Sequence, residues 1–291
     1  MGVMISLPIG ILFGLGALLA WGVSEFFAAL SSRKTGSVKT FFWSQVISLI
    51  VYTSSFVFFF FSLPSISFIE WLLLLIMTTT VIGGIFNYYE GFSLGKVAVV
   101  SPIVNAWPLV TLFFALTVLR QTLTFAQMIA VLLVIFGGLL VSFKLSDLAK
   151  LKFKNSARGV RHAIIGSLFF GIAFTLLDPL VTSLGFFIPV FLQKVIQIPL
   201  SFGYIKMKGA DISFPKEAAL PIVLIGILEF SGVVTYNLAI SSEYTVLIAP
   251  LMSAIPMVTI ILARLFFKEA LTVNQWVGFV FIISGLALLS L

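Results

Sequence analysis

Apolar residues run along this chain in long stretches separated by short polar breaks. A helix needs roughly 20 apolar residues to cross the hydrocarbon core of a bilayer. That ruler marks ten candidate spans, at about 9–30, 41–61, 70–94, 98–119, 125–143, 162–182, 185–205, 218–241, 245–267 and 272–290. Most connectors are very short, such as "RQTLT" and "SSEY". The long polar stretch is "FKLSDLAKLKFKNSARGVRH", residues 143–162, which divides the chain in half. The expected organisation is a first unit over 1–146, a basic linker over 147–161 and a second unit over 162–291. The opening "MGVMISLPIG" has no positively charged start and leads directly into an apolar run, so it reads as the beginning of the first span.

Two of these apolar runs carry paired prolines. "SPIVNAWPLVT" holds Pro102 and Pro108, and "APLMSAIPMVT" holds Pro250 and Pro256. Proline removes a backbone donor and clashes with the preceding turn, so each pair should bend or unwind its span and act as a hinge. Sliding the chain by 148 positions superposes the two stretches without a gap. Thr111 then falls on Thr259, Leu123 and Thr124 on Leu271 and Thr272, Gln127 on Gln275, and Gly137 on Gly285. Tyr88 falls on Tyr236 and Ser93 on Ser241. Each half would hold five spans, and because five is odd the second half enters from the opposite side. The expected fold is an all-α integral membrane protein of ten transmembrane helices in two inverted five-helix repeats. Inverted repeats are a recurring plan of secondary transporters, with the substrate site near the midplane between the halves.

Composition supports the membrane. The chain is 60% hydrophobic and 9% charged, against about 25% charged in soluble domains. The net charge of +7 is spread over short connectors, which argues against nucleic-acid binding. There is no Cys, and His162 is the single histidine, so no cofactor or metal site is expected. Lys and Arg favour cytoplasmic loops. Odd-numbered connectors hold Arg33, Lys34, Lys39, Lys96, Lys144, Lys150, Lys152, Lys154, Arg158, Arg161, Lys206, Lys208, Lys216 and Lys268, while even-numbered ones hold Arg120. The bias places the linker inside and both termini outside.

The pattern P-x5-P-x2-T followed by L-T-x2-Q-x9-G closes both halves, ending in "LTFAQMIAVLLVIFGG" and "LTVNQWVGFVFIISG". With the opening "AWGVSEFFAALSSRKTG", it resembles the EamA branch of the drug/metabolite transporter superfamily. The resemblance covers essentially the whole chain. It implies ten helices in two inverted units, with spans 1–4 and 6–9 around a central cavity and spans 5 and 10 at the periphery. It also implies a carrier of small organic solutes, often an exporter of amino acids or related metabolites. Several members keep both termini in the cytoplasm, where the charge bias here places them outside. Independently, Ala130 and Gly137 match Gly278 and Gly285, small residues at a spacing that lets two backbones approach.

Charged groups within spans are costly, which makes each a functional candidate. Glu229 and Lys194 lie near the middle of spans 8 and 7. They are read either as a structural ion pair or as groups that bind a zwitterion, with Glu229 able to carry a coupling proton. Glu25, Glu90 and Arg264 each fall about one turn from a span end on the side read as cytoplasmic, and could form a gate or snorkel to the interface. Asp178, followed by Pro179, suits a helix end. Asn87, Tyr88, Asn105, Trp107, Tyr236 and Asn237 complete the expected substrate-binding set.

The favoured reading is a multi-pass carrier in the cytoplasmic (plasma) membrane, not an enzyme. It would move a small organic metabolite by alternating access, with amino acids and related compounds first among candidates and export a candidate direction. Its partners would be a small-molecule substrate and membrane lipid, with protons as a candidate coupling ion and a monomer or weak homodimer as its state. A flippase for a lipid-linked or amphipathic substrate, or a passive facilitator, are the alternatives.

Overall fold

In lipid every backbone N–H and C=O must find its partner within the protein, and helices meet that demand within one segment. A computed structural model describes residues 8–59, 63–94, 97–143, 157–268 and 270–289, and among them all regular structure is helical. The basic linker up to residue 156 lies outside the described residues, as do Lys96, Lys144, Lys150, Lys152 and Lys154. The first half comprises α1 (Ile9–Thr35), α2 (Ser37–Phe59), α3 (Phe68–Leu94), α4 (Val97–Val104), α5 (Trp107–Thr117) and α6 (Phe125–Val141). The second comprises α7 (Ala157–Leu184), α8 (Ile188–Met207), α9 (Ala219–Ser242), α10 (Thr245–Leu251), α11 (Ile255–Phe267) and α12 (Val273–Leu289). Eight stretches are long and apolar enough to cross a membrane, the α4–α5 and α10–α11 segments each counting as one; α6 and α12 are shorter apolar helices.

Both proline-bearing segments break at the same place. Pro102 lies inside α4 and Pro108 in the first turn of α5, with Asn105 and Ala106 in a turn between them. Pro250 lies inside α10 and Pro256 in the first turn of α11, joined by a 3-10 turn over Met252–Ala254. A proline at a helix start costs nothing there, because its missing N–H would have had no intrahelical partner. The break tightens the ladder: Ala106 N–H donates to Ile103 O at 3.2 Å and Leu109 N–H to Ala106 O at 3.0 Å.

The two halves interleave. α1 packs along α9, α3 along α7, and α6 along α12. Matching contacts recur across the halves. Thr111 Oγ1 donates to Gly171 O at 3.1 Å, and Thr259 Oγ1 to Gly22 O at 3.0 Å. Gly171 faces Val110 as Gly22 faces Val258, and a Cβ at either glycine would overlap the valine. A Cβ on Gly137 would come 2.7 Å from Gly278 O, and one on Gly285 2.7 Å from Ala130 O, so small residues bring α6 and α12 into backbone contact. Arg120 and Lys268 both adopt left-handed backbone, with φ of 53° and 55°.

Contacts also sort the connectors between two ends. Lys208 Nζ lies 3.7 Å from Glu90 Oε1, Lys39 Nζ 2.5 Å from Asp211 Oδ2, and the Arg33 guanidinium 5.9 Å over the Phe267 ring. The turn at Gly36, the loop after α8 and the last turns of α3 and α11 therefore share one end, the Gly36 end. Gly91 faces the backbone of Gly159, which brings the start of α7 there too. At the opposite end, the Gly185 end, Gly10 of α1 faces Glu243, and Asp178 accepts from both Gln121 and Thr245.

Candidate functional site

The interior of the helix assembly holds a cavity of about 380 Å³. Its wall is built from helical stripes. α1 contributes Trp21, Ser24, Glu25, Ala28 and Ser32, residues three or four apart on one face. α2 adds Ser37, Thr40, Phe41, Ser44 and Gln45 at the same rhythm, and α8 adds Val190, Gln193, Lys194 and Gln197. Glu229 projects from α9, Tyr88 from α3, and Asn105 and Trp107 from the break between α4 and α5.

The polar side centres on Lys194, which is 4% exposed. Its ammonium donates to Gln45 Oε1 and, at 3.3 Å, to Glu229 Oε1. Gln193 Nε2 donates to Gln197 Oε1 at 2.5 Å. A buried ammonium needs such partners, because desolvation without them costs more than a hydrogen bond returns. The Glu229 side chain is 26% exposed, against 6% for that of Lys194. A second carboxylate stands on α1, where Glu25 Oε2 accepts a long hydrogen bond, 3.3 Å, from Thr259 Oγ1.

The apolar side is aromatic. Trp107 stacks on Phe174 with centroids 4.1 Å apart and planes 18° apart, and Trp21 meets Phe174 edge-on at 5.8 Å. Flat rings facing fixed charges suit a solute with a charged head and an apolar body. Among the described residues no three His, Cys, Asp or Glu side chains converge in a way that could hold a metal.

The sequence profile of the EamA-like transporter family matches residues 8–143 and again residues 157–291. The chain belongs to the EamA-like transporter family. It is a multi-pass membrane protein of a family of small-molecule transporters rather than enzymes. A solved crystal structure of a protein 16% identical has the same fold, with a TM-score of 0.81 over 97% of each chain. No curated protein matches the sequence.

In this EamA-like chain the structure brings Glu229, Lys194, Tyr88, Asn105, Trp107 and Glu25 to one cavity wall. Other residues singled out in the sequence lie elsewhere. Asn87 Oδ1 accepts from His162 Nδ1 at 2.8 Å and its Nδ2 donates to Gly83 O at 2.9 Å, tying α3 to α7. Tyr236 is buried behind Trp21 and Phe174, at 5.6 and 5.2 Å. Asn237 is buried too, its Nδ2 donating to Phe186 O at 2.7 Å. The three gate candidates have different neighbours: Glu25 meets Thr259, Glu90 meets Lys208, and the Arg264 guanidinium lies 5.9 Å over the Trp276 ring. Asp178 accepts from Gln121 Nε2 at 2.8 Å and Thr245 Oγ1 at 2.6 Å, holding the start of α10. Sequence reasoning passed over Gln45, Gln193 and Gln197. Their signal was present as amides inside apolar spans, in α8 one and three residues from Lys194.

Proposed function

We propose that this protein is a secondary carrier that moves a small organic solute across the plasma membrane by alternating access, with amino acids and related compounds as the first solutes to test. The observation that carries the reading is the cavity itself, whose wall joins Lys194 and Glu229 of one half to Glu25, Gln45 and Trp107 of the other. Lys194 would meet a carboxylate, Glu25 and Glu229 an ammonium, and Trp21, Trp107 and Phe174 the solute's apolar body. A proton on Glu229 would release Lys194 and couple solute movement to a proton gradient.

The mechanical plan is two inverted repeats, 1–146 and 162–291, joined by the basic segment 147–161. Its support is the matched packing of α1 on α9 and α3 on α7, the Thr111–Gly171 and Thr259–Gly22 contacts, and the start of α1 and α7 at opposite ends. The helix breaks beside Pro102 and Pro108, and beside Pro250 and Pro256, would be the points at which each half bends.

Counterflow in proteoliposomes tests the proposal. Purified protein is loaded with unlabelled solutes from a panel of amino acids, amines and organic acids, and uptake of a labelled trace is measured. A carrier gives saturable uptake stimulated by solute on the far side. Unsaturable flux without that stimulation would replace the carrier with a passive facilitator.

A further inference from the structure

The cavity is lopsided. Its wall reaches Ser32 and Ser37, at the turn of the Gly36 end. Toward the Gly185 end the space between α2, α8 and α9 is filled by rings. Tyr52 lies 4.6 Å from Phe230 and 5.3 Å from Phe187, and Phe191 stacks on Phe56 at 4.8 Å. Tyr52 is 0% exposed and Phe187 3%.

This filled half is not chemically dry. Ser48 Oγ, Tyr52 OH, Tyr236 OH and Asn237 Oδ1 are buried with no hydrogen-bond partner among the described residues, Tyr236 with its ring against Trp21 and Phe174. Buried polar atoms in proteins are nearly always paired, because an unpaired one forfeits its hydration for nothing. Ser48 and Tyr52 continue the α2 stripe beyond Gln45, at helical spacing. Asn237 lies two turns beyond Glu229 on α9. A fifth such atom, Ser201 Oγ, lies on the other side of the cavity, one turn past Gln197.

Hydrogen bonds cross the same end. Asp178 clamps Gln121 and Thr245, Gln121 Oε1 accepts from Val246 N–H at 2.9 Å, and Asn237 holds Phe186 O. These bonds tie α7, the α5–α6 connector, α9 and the start of α10 together.

We propose that Ser48, Tyr52, Tyr236 and Asn237 line the second half of the solute path, from the Lys194–Glu229 pair to the Gly185 end, and that the Asp178–Gln121–Thr245 cluster is the latch that keeps it shut in this conformation. The inference rests on the carrier reading above. It assigns the unpaired polar atoms a state in which water or solute satisfies them, and it gives Tyr236 and Asn237 a place on the path although neither lines the present cavity. Breaking the latch frees α7 from the start of α10, which follows directly on α9, and the rings of Tyr52, Phe187 and Phe230 separate.

The chain has no cysteine, so single-cysteine variants report directly. S37C, S48C, Y52C and N237C are reconstituted in proteoliposomes and exposed to a membrane-impermeant thiol reagent from each side, with and without counterflow. S37C should label from one side. S48C, Y52C and N237C should label from the other side only, faster during counterflow, and D178N should raise their rate at least about tenfold. Labelling from the S37C side, or no labelling from either side in D178N while wild-type protein still exchanges solute, would overturn the path. Far-side labelling in a protein with no saturable exchange would leave the path standing and remove the carrier. Three independent positions guard against one variant that fails to fold.

Discussion

Lys194 Nζ and Glu229 Oε1 are 3.3 Å apart, on two helices, α8 and α9, that are consecutive in the chain. The lysine is nearly sealed while its partner keeps a quarter of its side chain exposed. The pair is therefore asymmetric: Lys194 depends on its protein partners for charge compensation, whereas the Glu229 side chain keeps part of its surface exposed.

Removing the carboxylate should strand the lysine. Loss of one partner of a buried pair costs about 3–5 kcal/mol, and the partial exposure of Glu229 brings the expected figure to roughly 1–3 kcal/mol. We predict that E229Q lowers the unfolding midpoint of the purified protein and abolishes counterflow. K194M/E229Q should recover much of the stability and none of the transport. Full transport by E229Q with unchanged pH dependence would remove Glu229 from the site.

Trp21 and Trp107 are the two of five tryptophans at the cavity wall. Solute entry should change the intrinsic fluorescence of the protein. W21F/W107F should lose that response, and variants at Trp43, Trp71 or Trp276 should keep it. A response that survives the double change would place the solute away from the aromatic wall.

The paired close approaches at Gly22–Val258 and Gly171–Val110 leave no room for a Cβ. G22A and G171A should each destabilise by about 1–3 kcal/mol, the usual cost of overpacking. Thermal melts in detergent measure this, and V258A or V110A should not restore the loss, because alanine keeps the Cβ that the new methyl would meet at 2.4 or 2.3 Å.

Outside the spans, the Asp211 carboxyl is held down to about 2, first by a hydrogen bond from Lys39 Nζ and then by the N–H and hydroxyl of Ser213. A depressed value in the folded state means that the contact stabilises above the unfolded carboxyl's pKa, about 3.9, and is lost as pH falls through the folded one. Wild-type stability should carry a decline between about pH 4 and 2 that D211N lacks. Equal pH profiles for the two proteins would show that the contact is not maintained in solution.

Reporter tags at the two termini should both read extracellular, as the distribution of Lys and Arg over the connectors requires. Cytoplasmic reporters at both ends would reverse the orientation and place the Gly36 end outside.

Much of this molecule is legible from local sequence. The spans follow from runs of apolar residues because each helix satisfies its backbone within itself, and the breaks follow from Pro102, Pro108, Pro250 and Pro256 because proline acts on its own turn. The cap of α6, where Thr124 and Gln127 exchange hydrogen bonds, and the bond from Thr272 N–H to Gln275 Oε1 before α12 are local in the same way. The close approach of α6 and α12 was visible in Gly137, Gly278 and Gly285. What only the tertiary structure decided is which polar groups face the cavity and which face each other. Gln45 meets Lys194, Asn87 meets His162, and Asp178 gathers Gln121 and Thr245 from distant positions. Lipid is as apolar as the protein interior, so a helix here can be apolar all round, with Phe58 exposed and Tyr52 buried on the same element. The contrast that reveals an inward face in water is missing, and the choice falls to packing between helices far apart in the chain.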